Sequence, residues 1–538
     1  MNYGFVIDNR LCIGCHACST ACKAENEVPL GVNRTWVKYV DTGVFPDTRR
    51  HFQVTRCNHC ANPPCVDICP VTAMFQRSDG IVDFDKQLCI GCKACMQACP
   101  YDAIYIDPDS LTAAKCHYCA HRTEIGLEPA CVVVCPEQAI ISGDIDDPQS
   151  EIRQLIDRNR VKVRKPEIGT KPNLFYIEGS TVTLDPTVAP NIPKTYMWSD
   201  VKGGQQDGQQ TAVDKNYSRN DAADGPVQIG GKVAEHMVQV AYDVGHKKAW
   251  HWPVAAYMTS KAIATGVYVM LCSSIILGLL PVDGVWAGIL EAIVLGGMIV
   301  TGILLCVDLE RPDRFLMVIL RPQWRSWLAR GAYLLMAFSG VVLLMLLINL
   351  GSMLRMSFFD SIQAKISQPS IFLVWGLGSM PLAIGVAIYT AYLFRQAKGR
   401  DLWQTKFLPL HMAVQALIAG SGVCVMLISG FGVLDNLYTM SVSVLTAGLI
   451  VSGAIVCIEH VVDKPRSRAV QIANQELISG KYKLWFWVGG VMFGHLLPML
   501  ILVVRADLVG VLCGFSAVCG LYCYEYGFVL CAQEVPNS

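Results

Sequence analysis

The sequence carries little charge for its length. Only 16% of its 538 residues are Asp, Glu, Lys or Arg, and the 44 acidic residues balance the 44 basic ones. A protein without net charge has no global field that would attract nucleic acid, so we exclude nucleic acid as a partner. Hydrophobic residues make up 52% of the chain, more than is typical of soluble proteins.

Three familiar signals are also missing. No basic n-region, apolar h-region or twin-arginine pair precedes the first cysteine, so we expect no cleaved export signal on this chain. No glycine loop suited to a phosphate group is found, since the pair Gly230-Gly231 fits such a loop poorly. No two apolar segments carry histidines at matched positions, and we therefore predict that no haem is bound.

Cysteine is abundant, and it is concentrated at one end. Sixteen of the 24 cysteines form four runs. Two runs are spaced C-x2-C-x2-C-x3-C, one is spaced C-x2-C-x4-C-x3-C, and the last has eleven residues between its second and third cysteine. The runs are Cys12, Cys15, Cys18 and Cys22; Cys57, Cys60, Cys65 and Cys69; Cys89, Cys92, Cys95 and Cys99; and Cys116, Cys119, Cys131 and Cys135.

Such runs are typical of 4Fe–4S clusters, because three thiolates of one run hold a cluster and the fourth reaches a partner cluster. Sixteen thiolates therefore predict four 4Fe–4S clusters. Structural zinc is the alternative, but it needs four ligands per site and not the proline that follows the last three runs. A disulfide framework would require an oxidising compartment and a small secreted domain, and the sequence suggests neither.

Around the runs we predict an α+β fold, a duplicated two-cluster ferredoxin domain that covers residues 1–193. Short strands are expected near residues 80–85, 101–106 and 137–142, beside the third and fourth runs. A helix over 151–160 and a terminal strand over 171–177 complete the domain. Residues 194–250 read as a flexible linker, polar and glycine-rich at 199–224, and a segment approaching the membrane.

The remaining residues, 251–538, predict an all-α membrane domain. Eight apolar stretches have the length of about 20 residues that one crossing needs. They lie at about 256–280, 284–307, 330–351, 371–394, 407–430, 438–459, 484–505 and 508–531. An even number of crossings returns the C-terminus to the side of the first domain.

Basic residues in the connecting loops predict the orientation. Fourteen lie in loops on the side of the cysteine-rich domain, whereas three, Arg355, Lys365 and Arg505, lie on the other side. The fourteen are Arg311, Arg314, Arg321, Arg325, Arg330, Arg395, Lys398, Arg400, Lys406, Lys464, Arg466, Arg468, Lys481 and Lys483. Because positive loops face the cytoplasm, we predict an inner (cytoplasmic) membrane protein whose cysteine-rich domain is cytoplasmic.

Both parts resemble known proteins. The four runs, the wide gap in the fourth, and the stretches Gly143–Pro148 and Lys165–Asn173 resemble the four-cluster electron-transfer subunit of molybdopterin oxidoreductases of the dimethyl sulfoxide and polysulfide reductase type. The stretches Asp308–Phe315 and Ser326–Ala332 resemble the eight-helix, quinone-reactive anchor of polysulfide reductase. Those subunits are usually separate chains, whereas here they are joined.

The resemblance implies how the thiolates are shared. Runs one and four would pair, as would runs two and three. The clusters would then be held by Cys12, Cys15, Cys18 and Cys135; by Cys116, Cys119, Cys131 and Cys22; by Cys57, Cys60, Cys65 and Cys99; and by Cys89, Cys92, Cys95 and Cys69. A catalytic partner with a molybdenum or tungsten pterin, facing the cytoplasm, is also implied.

A quinone site, for menaquinone or ubiquinone, needs hydrogen-bond donors and a proton route near the last cluster. Ionisable residues in spans are costly and so indicate function. The candidates are His251, Tyr257, Lys261, Asp308 and Tyr392, although each also fits an interfacial anchor. Glu291 and His495 lie deeper and suit either polar contacts between helices or a proton path.

These features predict an electron-transfer and membrane-anchor subunit of a quinone-linked oxidoreductase, whose substrate site lies on a partner chain. Electrons would run between that partner, the four clusters and the membrane quinone. Two alternatives stay open. One is a proton-translocating module of a larger respiratory complex, and the other is a structural membrane tether for an iron–sulfur relay.

Overall fold

A computed structural model describes residues 1–43, 47–188, 238–245, 247–282, 284–431, 435–462, 465–504 and 510–538. The linker predicted at 199–224 lies outside these ranges. The domain boundaries proposed near residues 193 and 250 stay predictions.

The first part of the chain folds into small sheets and short helices, which confirms the predicted α+β class. Its strands are β1 (Tyr3–Asp8), β2 (Thr35–Thr42), β3 (Arg49–Arg56), β4 (Met74–Gln76), β5 (Val82–Phe84), β6 (Ile104–Asp107), β7 (Thr112–Lys115), β8 (Ile140–Asp144), β9 (Val161–Lys162), β10 (Leu174–Ile177) and β11 (Val238–Tyr242). Its helices are α1 (Ala17–Glu25), α2 (Pro64–Ile68), α3 (Ala94–Ala98), α4 (Ala120–Thr123), α5 (Ala130–Val133), α6 (Glu151–Arg158) and α7 (Thr181–Leu184).

Strand β1 lies inside the main sheet, whose order is β8-β1-β10-β9. Its aromatic and aliphatic residues favour a buried strand, and Phe5, Val6 and Ile7 have almost no exposed surface. Phe5 lies opposite Leu174 in parallel β10 and opposite Ser142 in antiparallel β8. Strand β8, which follows the fourth cysteine run, and the terminal strand β10 therefore both pair with β1.

The second part is helical. It comprises α8 (Trp252–Ile276), α9 (Val285–Val307), α10 (Met317–Leu320), α11 (Trp327–Met353), α12 (Ser357–Ile366), α13 (Pro369–Gln396), α14 (Leu408–Phe431), α15 (Asp435–Cys457), α16 (Arg468–Ile478), α17 (Leu497–Val504) and α18 (Gly510–Cys531). A π-helical turn, Ile458–Val462, extends α15, and a π-helix, Trp485–Leu496, precedes α17. Seven helices among the described residues are long and apolar enough to cross a membrane, and they match the first seven predicted spans.

The eighth predicted span, 508–531, corresponds to α18, a helix of 22 residues. It is not among the seven candidate membrane spans. Glu525 and the neighbouring tyrosines lower its hydropathy, and most of its residues are buried among other helices. A helix surrounded by protein can carry polar side chains that lipid would reject.

The two parts of the chain contact each other directly. Arg314 Nη1 donates to the carbonyl oxygens of Lys86 (2.8 Å) and Gln87 (2.7 Å), and Ser326 Oγ donates to the carbonyl oxygen of Ile68 (2.6 Å). The amide of Gly399 donates to the carbonyl oxygen of Gln97 (3.0 Å). Two of the loops predicted to share a side with the cysteine-rich domain therefore pack against it.

Two segments that are distant in sequence also pack on the cysteine-rich domain. The first is strand β11, which was not predicted from the sequence and which extends the β2-β3 sheet. The C-terminal tail reaches back into the first domain, where Lys38 Nζ donates to the carbonyl oxygen of Ser538 (2.8 Å). The amide of Asn537 donates to Asp102 Oδ2 (2.8 Å), and Arg164 donates to the carbonyl oxygen of Asn537.

Candidate functional site

The cysteines of different runs meet in groups of four. One internal cavity is lined by Cys69, Cys89, Cys92 and Cys95, which we call quartet 4. Another is lined by Cys22, Cys116, Cys119 and Cys131, which we call quartet 2. Each cavity draws cysteines from two runs, in the grouping that the resemblance implies.

The other eight cysteines group in the same manner. Burial raises the pKa of Cys12, and its neighbours Cys135 and Cys15 raise it further. Cys18 also faces Cys12, so these four residues form quartet 1. Burial likewise raises the pKa of Cys60 and Cys65, and both face Cys57 and Cys99, with which they form quartet 3.

The four quartets follow one another in a row. Cys18 of quartet 1 faces Cys131 of quartet 2. Cys116 of quartet 2 faces Cys57 of quartet 3, and Cys65 of quartet 3 faces Cys95 of quartet 4. Quartet 4 lies against the membrane helices.

Tight turns make the groupings possible. Gly14 and Gly91 occupy corresponding positions in runs one and three, with φ angles of 72° and 68°. Such a left-handed backbone suits glycine because a Cβ would clash there. At Gly91 a Cβ would also lie 2.6 Å from the Cβ of Glu310, so this turn can approach the membrane part only as glycine.

The quartets fit 4Fe–4S clusters. Each offers four buried or half-buried thiols, apart from the exposed Cys15. Within the described ranges, no three His, Cys, Asp or Glu side chains converge as the ligands of a single metal ion would. A cubane cluster spreads its four thiolates more widely, and iron binding releases the protons that burial would otherwise retain.

Quartet 4 adjoins a buried ion pair. Lys93 Nζ lies 3.2 Å from Asp308 Oδ1 and 3.6 Å from Glu310 Oε1. Burial raises the pKa of Asp308 to about 6, even though Lys93 opposes the shift. A carboxyl group with such a pKa exchanges protons near neutral pH.

An apolar cavity of about 250 Å³ lies directly beside quartet 4. Helices α8, α9, α11 and α13 surround it, and Cys92 forms part of its wall. Its polar groups are few, and three of them are Tyr257, Asp308 and Tyr389. A mostly apolar cavity with a few convergent polar groups is typical of a site for a small organic ligand.

The sequence candidates occupy different places around this cavity. Tyr257 and Asp308 line it. Lys261 lies behind it, with Nζ 2.5 Å from Thr390 Oγ1 and 4.5 Å from the ring centre of Tyr389. His251 lines an adjoining cavity of about 440 Å³ that shares Asp308.

Tyr392 lies outside the lining of both cavities, and its ring stacks on Trp327 with centroids 4.5 Å apart. Tyr389, one turn earlier, lines the cavity instead, and it was not among the candidates predicted from the sequence. Gly331 on the facing helix could have pointed to Tyr389, because a Cβ at position 331 would lie 2.3 Å from the Tyr389 ring. That glycine leaves the space that the ring occupies.

Both of the deeper candidates, Glu291 and His495, have hydrogen-bond partners. Glu291 Oε2 accepts from Asn349 Nδ2 (3.3 Å). His495 contacts Ser452 Oγ (3.1 Å), which also contacts His411 (3.2 Å). His411 in turn lies 3.8 Å from Glu459, so a continuous set of polar groups joins α14, α15 and the π-helix.

Known protein families match both parts of the chain. Residues 48–145 match a 4Fe–4S dicluster domain, and residues 242–537 match the family described as polysulphide reductase, NrfD. One tetrathionate reductase subunit of Salmonella typhimurium is 44% identical over 203 residues, 37% of this chain and 80% of the relative. One polysulfide reductase polypeptide of Wolinella succinogenes is 42% identical over 178 residues, 32% of this chain and 93% of the relative.

A third relative is the arsenate respiratory reductase iron–sulfur subunit ArrB of a Shewanella species, 37% identical over 227 residues, 33% of this chain and 96% of the relative. The family match covers more than half of the chain, and the predicted fusion is confirmed. The chain is thus an iron–sulfur electron-transfer and membrane-anchor subunit of an oxidoreductase. It belongs to the polysulphide reductase NrfD family, with a 4Fe–4S dicluster domain fused in front of its membrane helices.

Proposed function

We propose that this subunit carries electrons between a membrane quinone and a catalytic partner through four 4Fe–4S clusters. The observation that carries the proposal is the wall shared by quartet 4 and the 250 Å³ cavity, which contains Cys92. A quinone headgroup in this cavity would lie beside a cluster ligand. Either menaquinone or ubiquinone would suit a cavity of this size and apolar lining.

Quinone reduction takes up two electrons and two protons, and the cavity offers groups for both protons. Tyr257 and Tyr389 line the cavity and would donate hydrogen bonds to the quinone oxygens. Lys261 holds the Tyr389 ring by a cation–π contact and so orients it. Asp308 borders both cavities and would pass protons to the one lined by His251.

The opposite end of the row would meet the catalytic partner. Quartet 1 contains the exposed Cys15, and the apolar side chains of Leu11, Ile13 and Val133 are exposed around it. Exposed apolar side chains beside an electron-transfer group favour a protein contact. The relatives are named as parts of tetrathionate, polysulfide and arsenate reductases, which supports a catalytic partner. A molybdenum or tungsten pterin on that partner is what the resemblance to molybdopterin oxidoreductases implies.

The cysteine-rich domain and its partner would face the cytoplasm. The basic loops that predict this side include the ones whose Arg314 and Arg400 contact the cysteine-rich domain. Because those loops and that domain lie at the same end of the helices, the positive-inside rule applies to both together. Protease accessibility in spheroplasts and in inverted vesicles tests this assignment.

A proton-translocating module is the second candidate. It is favoured by the buried contacts from Glu459 through His411 and Ser452 to His495. A structural tether, by contrast, needs no cavity beside quartet 4. Quinol-driven proton uptake by vesicles, with Glu459→Gln compared with wild type, distinguishes the second candidate.

The main test is an EPR-monitored titration of the purified membrane protein with quinol, with and without a quinol-site inhibitor. We expect about sixteen irons per chain and cluster signals that quinol reduces and the inhibitor blocks. Inhibitor-insensitive reduction would reject the cavity as the quinone site. Zinc in place of iron would reject the whole proposal.

A further inference from the structure

Arg56 is a buried cation at the end of β3, with no exposed surface. Its Nη1 donates to Cys131 Sγ at 2.9 Å, while its Nε and Nη2 have no hydrogen-bond partner in the described chain. Its guanidinium carbon lies 4.6 Å from the ring centre of Phe5, which covers one face. Two donor groups of this arginine are therefore buried without an acceptor.

The groups that face Arg56 are cysteine sulfurs, which carry negative charge once they bind iron. They belong to Cys131 and Cys116 of quartet 2 and to Cys18 of quartet 1. No ion pair found among the described residues joins Arg56 to a carboxylate. A buried guanidinium without a counter-charge is costly, so its position requires negative groups nearby.

A 4Fe–4S cluster held by four thiolates supplies that charge. The cluster is anionic as a whole, and its sulfurs accept hydrogen bonds. With clusters in quartets 1 and 2, the unused Nε–H and Nη2–H of Arg56 would have acceptors. The guanidinium would then stand between two anions rather than beside one.

We propose that Arg56 sets the reduction potentials of the clusters in quartets 1 and 2. This inference rests on the proposed function only in that these quartets hold clusters. Reduction adds one electron to a cluster, so the negative charge beside Arg56 increases. A fixed positive charge stabilises the reduced form and raises the potential.

The potential of the cluster in quartet 2 is expected to change most when Arg56 is replaced, because Arg56 lines its cavity. A second arginine, Arg34, lines the same cavity. Arg34 is held by Asn26 Oδ1 (3.3 Å) and Tyr105 OH (3.2 Å), so its charge is not neutralised. The cavity of quartet 4 differs, because Lys93 and Asp85 bring opposite charges to its lining. The clusters near the catalytic partner therefore have a more positive environment than the cluster near the membrane.

The test is a dithionite-driven redox titration followed by EPR, on the full chain with its iron content measured. In Arg56→Gln we expect two of the four midpoint potentials to fall and two to stay unchanged. In Arg56→Lys, which keeps the charge but loses the planar fork, we expect a smaller fall in the same two. Arg153→Gln is the matched control, because Arg153 is exposed and pairs with Asp157 on α6.

Unchanged potentials in an Arg56→Gln protein with full iron would overturn the inference. An equal shift of all four would also overturn it, because that result indicates a general structural effect. If Arg56→Gln loses iron, Arg56→Lys decides. With full iron, an equal fall in all four potentials, or a fall confined to the clusters of quartets 3 and 4, rejects the proposal. Dithionite bypasses quinone, so failure here is distinct from failure of quinol to reduce the clusters.

Discussion

Two buried cations lie near opposite ends of the row of cysteine quartets, and their surroundings differ. Arg56, between quartets 1 and 2, faces cysteine sulfurs, and no ion pair among the described residues joins it to a carboxylate. Lys93, beside quartet 4, is paired with the carboxylates of Asp308 and Glu310. The unpaired cation suits stabilisation of added electrons, whereas the pair at the membrane end brings an exchangeable carboxyl group to a cavity. Under the proposed function, one end would carry electrons alone and the other would couple electrons to protons.

Removing one quartet at a time tests this difference most strongly. In Cys95→Ser we expect iron to fall by about a quarter and quinol to reduce none of the remaining clusters, because the first station is lost. In Cys18→Ser we expect a similar loss of iron, but quinol should still reduce the other three. EPR after rapid mixing with quinol measures both.

Cys457→Ser is the control, since Cys457 is exposed and outside the quartets. Quinol reduction that survives in Cys95→Ser would contradict the order of the row.

Asp308→Asn breaks the ion pair at the membrane end and removes the proposed proton carrier. We expect reduction of the clusters by quinol to slow about 100-fold, within the range for loss of a general acid or base. Stability should fall by less than the roughly 3–5 kcal/mol expected for a buried charge left without any partner, because Glu310 stays beside Lys93. Stopped-flow kinetics and denaturant unfolding measure the two effects.

The double variant Asp308→Asn with Lys93→Met separates them. It should recover much of the stability but none of the rate, and a recovered rate would argue against a proton role for Asp308. Asp360→Asn, an exposed carboxylate on α12, is the matched control.

Gly331→Ala should disturb the cavity less severely. The added methyl would lie 2.3 Å from the Tyr389 ring and displace it, at a cost of about 1–3 kcal/mol for overpacking. We expect a higher KM for quinol with unchanged iron content. Gly340→Ala on the same helix meets nothing within 4 Å and should behave as wild type. Equal KM values in the two variants would exclude Tyr389 from the quinone contact.

The smallest expected difference is between two tyrosines of α13. Tyr389→Phe removes a hydroxyl from the cavity and should slow quinol oxidation by about 10-fold, the value of one hydrogen bond of about 1.4 kcal/mol. Tyr392→Phe keeps the stack on Trp327 and should change the rate less than about 2-fold. Steady-state rates of quinol oxidation measure both effects. A larger loss of rate in Tyr392→Phe than in Tyr389→Phe would favour Tyr392, the residue predicted from the sequence, as the quinone contact.

The parts of this molecule that follow from local sequence were predictable. Cysteine spacing is a local property, and so is the length of an apolar helix, which is why the 4Fe–4S domain and the membrane spans could be predicted. Tyr389 and Tyr392 could not be ranked, because the choice depends on which face of α13 meets Gly331 of another helix. Strand β11 escaped prediction for a similar reason, since its partner β2 lies about 200 residues earlier. The role of Arg56 could not be predicted either, because the cysteines around it come from distant parts of the sequence.

The C-terminal tail bears on how the two parts of the chain are held together. The tail ties the membrane helices to the first domain through Lys38, Asp102 and Arg164. The loops that carry Arg314 and Gly399 add further ties. Covalent fusion then acts mainly by raising the local concentration of one part near the other. These hydrogen bonds do not depend on the peptide connection, so we expect the two parts to stay associated when the connection is cut.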